Sequence, residues 1–337
     1  STLSSSSAAS DVYKRQPDAQ EISISLYGLY EKEINQYTIQ SSFRLENNSI
    51  IPDITSEYFY ANLDINQINE RNFLLFSAAA AIITKRKNWE LSLGSMFTSR
   101  APSIEDLYSD GPHLGVYNYE IGLPELGAEH TYGLEGSLGY MADRAELKIT
   151  SYQNYSPNYH LSKVMGAGYE PGADWIEWGS GAAGWLYIYQ MSGLEVYIHG
   201  YESEFSYNLN DVIRFDGSFS ATRGENLTDN SSLYYMPPDR ILLSTEVNLL
   251  PFSINLMHKK VFNQNRIGLY ESATPGYETY NLIGTYTMRN SWAIHKIILQ
   301  IDNVFDRKYY NHLSRIKSIM PEKGRNIGSV SYTHLRA

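Results

Sequence analysis

The chain has 337 residues, no cysteine and a formal net charge of −10. That length suits one large barrel or two ordinary domains. The composition excludes disulfide staples, thiolate metal sites and a cysteine nucleophile, and it argues against a broad basic surface for nucleic acid. Tyrosine dominates the aromatics, with 29 residues against 11 Phe and 5 Trp; its apolar ring and polar tip suit a boundary that is greasy on one side and wet on the other.

The ends are unlike the interior. Ser1–Ser10 is of low complexity, and Asp11–Gln16 (DVYKRQ) and Ser329–Ala337 (SVSYTHLRA) resemble translated sequencing-adapter read-through. Residues 1–16 are therefore set apart as a leader and 329–337 as a tail, leaving 17–328 as one β-domain, with the reading frame expected to be truncated at both ends.

In chain order, the first clear strand pattern puts Tyr37, Ile39, Ser41, Phe43 and Leu45 on one face and Thr38, Gln40, Ser42, Arg44 and Glu46 on the other. Phe73–Ile83 is ambiguous, because both faces are apolar or small. Alternation resumes with Trp89, Leu91, Leu93 and Phe97, then Tyr132, Leu134, Leu138 and Tyr140. Ile213, Phe215, Gly217, Phe219 and Ala221 follow, opposed by Arg214, Asp216, Ser218, Ser220 and Thr222. Ile241–Leu249 and Thr279–Met288 complete the series. Alternation of period two gives strands with one apolar and one polar face, and the whole chain reads as about thirteen strands. No stretch approaches the roughly 20 apolar residues of a spanning helix.

The connections alternate in length. Short turns fall near Asn35-Gln36, Arg86–Asn88, Ala142-Asp143, Asn210-Asp211, Pro251 and Asn290-Ser291; long loops fall near Ser49–Glu70, Arg100–Ala128, Leu161–Gly184, Gly224–Pro238, Gln264–Tyr277 and Arg307–Lys323. Short turns at one end and long loops at the other are the layout of an outer-membrane barrel. A soluble propeller or sandwich would need short, even loops and a blade repeat, and no such repeat is visible.

Several collinear segments resemble the C-terminal half of TonB-dependent outer-membrane receptors. Phe97–Tyr108 (FTSRAPSIEDLY) resembles "RAPS-x-E-E-L-Y", carried here by Arg100, Pro102, Glu105 and Tyr108. Gly111–Glu129 is similar to the family's "E-x-GNP-x-L-x-PE" loop, although Leu123 stands at its Asn position and Gly127-Ala128 replaces Lys-Pro. Met191–Glu195 (MSGLE) resembles "x-x-G-x-E". Leu299–Tyr310 (LQIDNVFDRKYY) resembles "V-x-N-L-F-N-x-x-Y" through Asn303 and Phe305, and His312–Ile327 resembles the closing "P-x-GRN" strand through Gly324, Arg325 and Asn326. The resemblance implies a 22-stranded all-β antiparallel transmembrane barrel in a Gram-negative outer membrane. It also implies an N-terminal plug and a TonB box, neither of which lies in this sequence, and TonB-energised uptake of a scarce nutrient, most often a ferric siderophore. The implied partners are the TonB complex, outer-membrane lipid and a small metal chelate. A passive porin, an adhesin and a soluble β-rich binding protein stay open, as do cobalamin, haem, zinc and glycan as cargo.

No catalytic constellation such as G-x-S-x-G is present, and neither enzyme activity nor a cofactor is expected. Long loops on a rigid scaffold carry binding groups, so the ligand-contact candidates are Arg100, Tyr108, His113, Tyr117, Tyr119, Glu120, Tyr169, Trp175 and Trp178. His113 and Glu120, with Asp110, carry donors that suit zinc; a single loop histidine is more often a hydrogen-bonding surface group, so no metal is assigned. Asn303, Phe305 and Gly324–Asn326 read as structural: a turn residue, a membrane-edge anchor and the start of the closing strand.

Overall fold

A computed structural model describes residues 16–53, 62–113, 115, 118–165, 175–177, 185–314, 316–317 and 320–335. Its 17 strands form one sheet. Thirteen are long staves: β1 (Ala19–Ile34), β2 (Tyr37–Pro52), β3 (Arg71–Arg86), β4 (Trp89–Arg100), β7 (Glu129–Met141), β8 (Ala145–Val164), β10 (Trp185–Asn208), β11 (Ile213–Asn226), β13 (Arg240–Leu249), β14 (Phe252–Val261), β15 (Tyr277–Arg289), β16 (Ala293–Asp302) and β17 (Asn326–Leu335). Four short strands lie in loops: β5 (Asp110–His113), β6 (Asn118–Ile121), β9 (Trp175–Glu177) and β12 (Ser231–Ser232). Each stave pairs antiparallel with the next stave in the chain. Among the described residues no pairing joins β1 to β17, so the sheet is an open part of a barrel. β17 runs to Leu335, past the boundary placed at residue 328.

The six short turns and six long loops fall where the length alternation puts them, and two turns have a visible local cause. Asn35 and Lys87 adopt φ of 56° and 54°, the left-handed conformation that two-residue hairpins require and that asparagine tolerates well.

Register carries the apolar positions onto one continuous face. Phe43 pairs with Ala78, Ala78 with Phe97 and Phe97 with Tyr132. Further along, Phe205 meets Gly217, Gly217 meets Leu243, Leu256 meets Leu282 and Leu282 meets Ile301. This face is exposed: Leu91, Leu93, Ile254 and Leu256 are 54%, 52%, 50% and 47% accessible. A soluble protein rarely shows an apolar surface so extensive. Aromatic rings border it at two levels. Tyr37, Trp89, Tyr140, Tyr207, Phe252 and Tyr286 stand near the turns, with Trp89 and Tyr140 rings 4.7 Å apart and Phe252 and Tyr286 rings 5.0 Å apart. Phe97, Tyr132, Tyr155 and Tyr197 form a row near the loops across four neighbouring strands. Trp89 and Phe97 are eight residues apart on β4, roughly 27 Å along a strand; a tilt of about 40° leaves ~21 Å of height, close to the apolar band of a membrane barrel. β8 and β10, at 20 and 24 residues, continue well beyond that band on the loop side.

The opposite, concave face is polar. Arg44 pairs with Glu46 at 2.6 Å and Arg214 with Asp216 at 2.8 Å, and Ser92 and Ser137 share a hydrogen bond of 2.6 Å. The packed core sits on this face, at the loop end. Ile50, Phe73 and Leu75 are buried there with Ile68, Leu107, Tyr108 and Leu126, because the loop after β4 folds back over β2 and β3. That explains the ambiguous Phe73–Ile83 segment: Phe76, Ala78 and Ile82 face outward, while Phe73 and Leu75 face this inner cluster. A second cluster joins Leu194 and Val196 to Leu233 and Met236, where the loop after β11 also folds inward.

Adjacent residues on β14 give a direct test of this two-sidedness. In vesicles, Leu256→Arg is expected to lower the stability of the full-length protein by roughly 2–4 kcal/mol, and the lumen-facing Met257→Arg by less than about 1 kcal/mol. Urea unfolding would measure both, and equal losses would contradict the assignment of faces.

Candidate ligand-capture surface

The loop between β4 and β7 begins with a short helix, α1 (Ile104–Tyr108). Ser103 caps it: its Oγ accepts from the Asp106 N–H at 3.1 Å, and the Asp106 carboxylate accepts from the Ser103 N–H at 2.9 Å. This capping box fixes where the helix starts. Gly122 packs against the helix end so closely that a Cβ would lie 2.5 Å from the Leu107 carbonyl oxygen. Beyond α1, β5 and β6 form a hairpin, and β6 pairs in parallel with Tyr187–Gln190 of β10. It occupies the place beside β10 that β11 vacates above Asn226.

One carboxylate holds this loop to its neighbour. Asp110, 2% accessible, accepts from the Asn62 N–H at 2.6 Å, Asn62 Nδ2 at 2.8 Å, the Leu63 N–H at 2.9 Å and the Tyr119 hydroxyl at 2.9 Å. Arg71 reaches the same loop from the start of β3, donating to the carbonyls of Pro124 and Leu126.

The expected ligand contacts divide accordingly. Tyr108 and Tyr119 are completely buried. Tyr108 donates its hydroxyl to the Asn69 carbonyl at 2.7 Å, and burial pushes its phenol pKa up; Tyr119 donates to Asp110. In this structure both rings pack the loop itself. Arg100 pairs with Glu129 at 2.8 Å yet keeps 59% of its side chain accessible. His113 Nδ1 lies 2.9 Å from Glu120 Oε1 across the β5–β6 hairpin, and the imidazole remains 40% accessible. Among the described residues no group of three or more His, Asp or Glu side chains is placed to hold a metal. Pro102 is buried, and Glu105 lies in the first turn of α1, where its carbonyl accepts from the Ser109 N–H. Tyr117, Tyr169 and Trp178 lie outside the described residues; Trp175 is in β9, with its side chain outside them.

The motif residues near the C-terminus knit the last loop. Asn303 has φ 51° and is 4% accessible. Its Nδ2 donates to the Arg307 carbonyl, its Oδ1 accepts from the Arg307 N–H, and its own N–H donates to Asn281, at 2.8, 2.8 and 2.9 Å. Asp306 accepts from the Arg325 N–H at 2.7 Å, and a Cβ at Gly324 would lie 2.7 Å from that carboxylate. Asn326 opens β17 opposite Asp302. In the MSGLE segment, a Cβ at Gly193 would collide with Asn158, whose amide clamps the Gly127 and Ala128 carbonyls; Glu195 sits at a register shift and binds the Tyr155 hydroxyl.

A buried ionic cluster, with no pattern to mark it in the sequence, joins three loops. Glu271 lies 3.0 Å from both His312 Nε2 and Lys317 Nζ, and their side chains are 4%, 1% and 7% accessible. Lys317 also donates to the His312 carbonyl, and its ammonium lies 3.3 Å from His312 Nδ1. The Thr274 hydroxyl lies 2.9 Å from the same nitrogen. The Gly268 and Tyr235 N–H groups add bonds to Glu271, which brings in the loop after β11. Burial by itself raises the Glu271 pKa, but the bonds from His312, Lys317 and Gly268 outweigh it and hold the carboxyl at about 2.

The first 304 residues carry the family signal. Residues 2–304 match the family model "TonB dependent receptor-like, beta-barrel". The chain belongs to that family. Its members are transporters, so the chain is not an enzyme, and they are known as Gram-negative outer-membrane proteins. The match takes in most of the leader set apart at 1–16 and ends before β17. Among solved structures, the chain is similar to the copper transporter OprC (19% identity, TM-score 0.75, 94% of this chain and 48% of that one). It is also similar to the FrpB iron transporter from Neisseria meningitidis (12%, 0.67, 96% and 47%) and to the ferric enterobactin receptor PfeA from Pseudomonas aeruginosa (14%, 0.62, 94% and 54%). The chain thus spans about half the length of these proteins, and at such identities the likeness concerns the fold.

The ionic cluster predicts a pH response. A carboxyl held below its unfolded value of 4.5 contributes stability that is complete above about pH 4.5 and disappears as pH falls through about 2. Pepsin is therefore expected to cut the loops at 262–276 and 303–325 slowly at pH 3.5 and rapidly at pH 2. Glu271→Gln strands a buried ammonium, at a cost of about 3–5 kcal/mol, and should be cut rapidly at both. Identical digestion of the two proteins would refute the latch.

Proposed function

We propose that this chain is the barrel wall of an outer-membrane receptor that takes up a scarce metal chelate, most often a ferric siderophore, driven by the TonB complex. The observation that carries the reading is the inequality of the two ends. Six tight turns close one end, whereas at the other the loops carry their own strands, a capped helix and a buried ionic latch, and two of them fold inward over the lumen. Ordering loops beforehand lowers the entropy lost on capture. Arg100 and His113 stay accessible at this mouth and offer charge and hydrogen bonds to an anionic or chelated ligand. Tyr117, Tyr169, Trp175 and Trp178 are proposed as aromatic contacts. The copper, iron and ferric-enterobactin proteins named above support metal-linked cargo. In this reading the wall does no chemistry and carries no cofactor, a lipid bilayer surrounds it, and a plug and TonB box from the rest of the protein complete the machine.

The full gene, expressed in a Gram-negative host stripped of its own chelate receptors, is expected to restore growth on a ferric siderophore under iron limitation only while TonB is functional. Growth independent of TonB would favour the passive porin. Failure across siderophore, haem, cobalamin, copper and zinc sources would sink metal-chelate import.

A further inference from the structure

A groove of about 700 Å³ opens on the outward side of β14 and β15 at the loop end. Register puts Lys260, Glu278 and Tyr280 on the same face as the exposed Leu256 and the half-buried Leu282, above them toward the loops. Phe305 is 72% accessible and meets Tyr280 edge-on at 5.2 Å. Phe262, 39% accessible, lies 5.6 Å from the Lys260 ammonium. The exposed rings and the charged groups thus lie side by side in this groove. The charged set is net cationic. Its carboxylate, Glu278, is shared between Lys260 at 3.0 Å and His258 at 3.4 Å. Arg307 makes no ion pair among the described residues, while Asn303 fixes its backbone from both sides.

We infer that this groove binds an anionic, phosphate-bearing lipid of the loop-side leaflet, its phosphate between Lys260 and Arg307 and an acyl chain over Phe262, Tyr280 and Phe305. The inference rests on the membrane-spanning reading above. Two features favour a lipid over a soluble anion. The exposed rings continue the apolar belt, which a free phosphate would leave uncovered. The cations stand at the height where a bilayer's headgroups meet the aromatic row, and a cation there gains from anionic lipid.

Native mass spectrometry of the full-length protein in detergent tests this, with dioleoylphosphatidylglycerol and dioleoylphosphatidylcholine as probes. The protein is expected to retain the anionic lipid preferentially, and Lys260→Gln with Arg307→Gln is expected to lose about fivefold per cation removed. Phe305→Ala should weaken retention of both lipids, and the lumen-side Arg214→Gln should change neither. Equal retention of the two lipids by the unaltered protein, or an unchanged preference in the double variant, would overturn the groove. Displacement of the lipid by millimolar inorganic phosphate would reassign it to a soluble anion. Incorporation into lipid nanodiscs, measured in parallel, separates the two readings. A protein that stays soluble without detergent fails as a membrane protein, whereas variants that incorporate normally report on the groove alone.

Discussion

In the membrane-spanning reading proposed above, the backbone between the two aromatic rows has no water to satisfy it. Every N–H and C=O at that depth needs a partner on a neighbouring strand, since each one left open costs several kcal/mol in hydrocarbon. The uninterrupted antiparallel ladders follow from that requirement. So does the position of the register shift between Leu194 and Val196, which falls at the loop-side edge of the band, where water can serve a broken ladder. The turns obey the same constraint, since two to four residues carry the chain from one stave to the next without stranding backbone in lipid.

Outside the band the constraint relaxes, and the construction changes. Loop backbone is satisfied by side chains: Asp110 serves two loops, Asn303 closes the last one on itself, and Glu271 collects donors from three. Such groups are costly to bury alone, so they come as nearly closed sets. The apolar clusters beneath them complete the support. Leu107 and Tyr108 cover Phe73 and Leu75, and Leu233 and Met236 cover Val196, with Gly224 small enough to let Leu233 and Met236 approach. The mouth is thus soluble-protein architecture built on a membrane-protein wall.

The wall was legible in the sequence because its rules are local. A period of two, two facing environments and alternating loop lengths are readable within ten or twenty residues of Ile213–Thr222 or Tyr37–Glu46, and the stave count follows. Phe73–Ile83 resisted because its inner face answers to α1, more than 20 residues later. The mouth was largely illegible for the same reason. Nothing near Glu271 announces His312 or Lys317, and a tyrosine that stacks on a ligand looks the same in sequence as Tyr119, which is buried against Asp110. Asn303 and Phe305 differ in kind, because a positive φ and an exposed ring at a strand exit are properties of their immediate neighbourhood.

This division bears on how cargo can vary while the barrel persists. Substitution on the outer face is limited by lipid and in the band by ladder pairing, but a loop that closes its own polar set can be exchanged with little effect on the staves beneath. The β5–β6 hairpin illustrates the point: it docks on β10 through four backbone pairs, which place few demands on side-chain identity. His113 and Glu120 ride on that generic attachment. In the proposed reading a different ligand would require new side chains on the same hairpin and no new wall; likeness at 12–19% identity concerns the architecture alone.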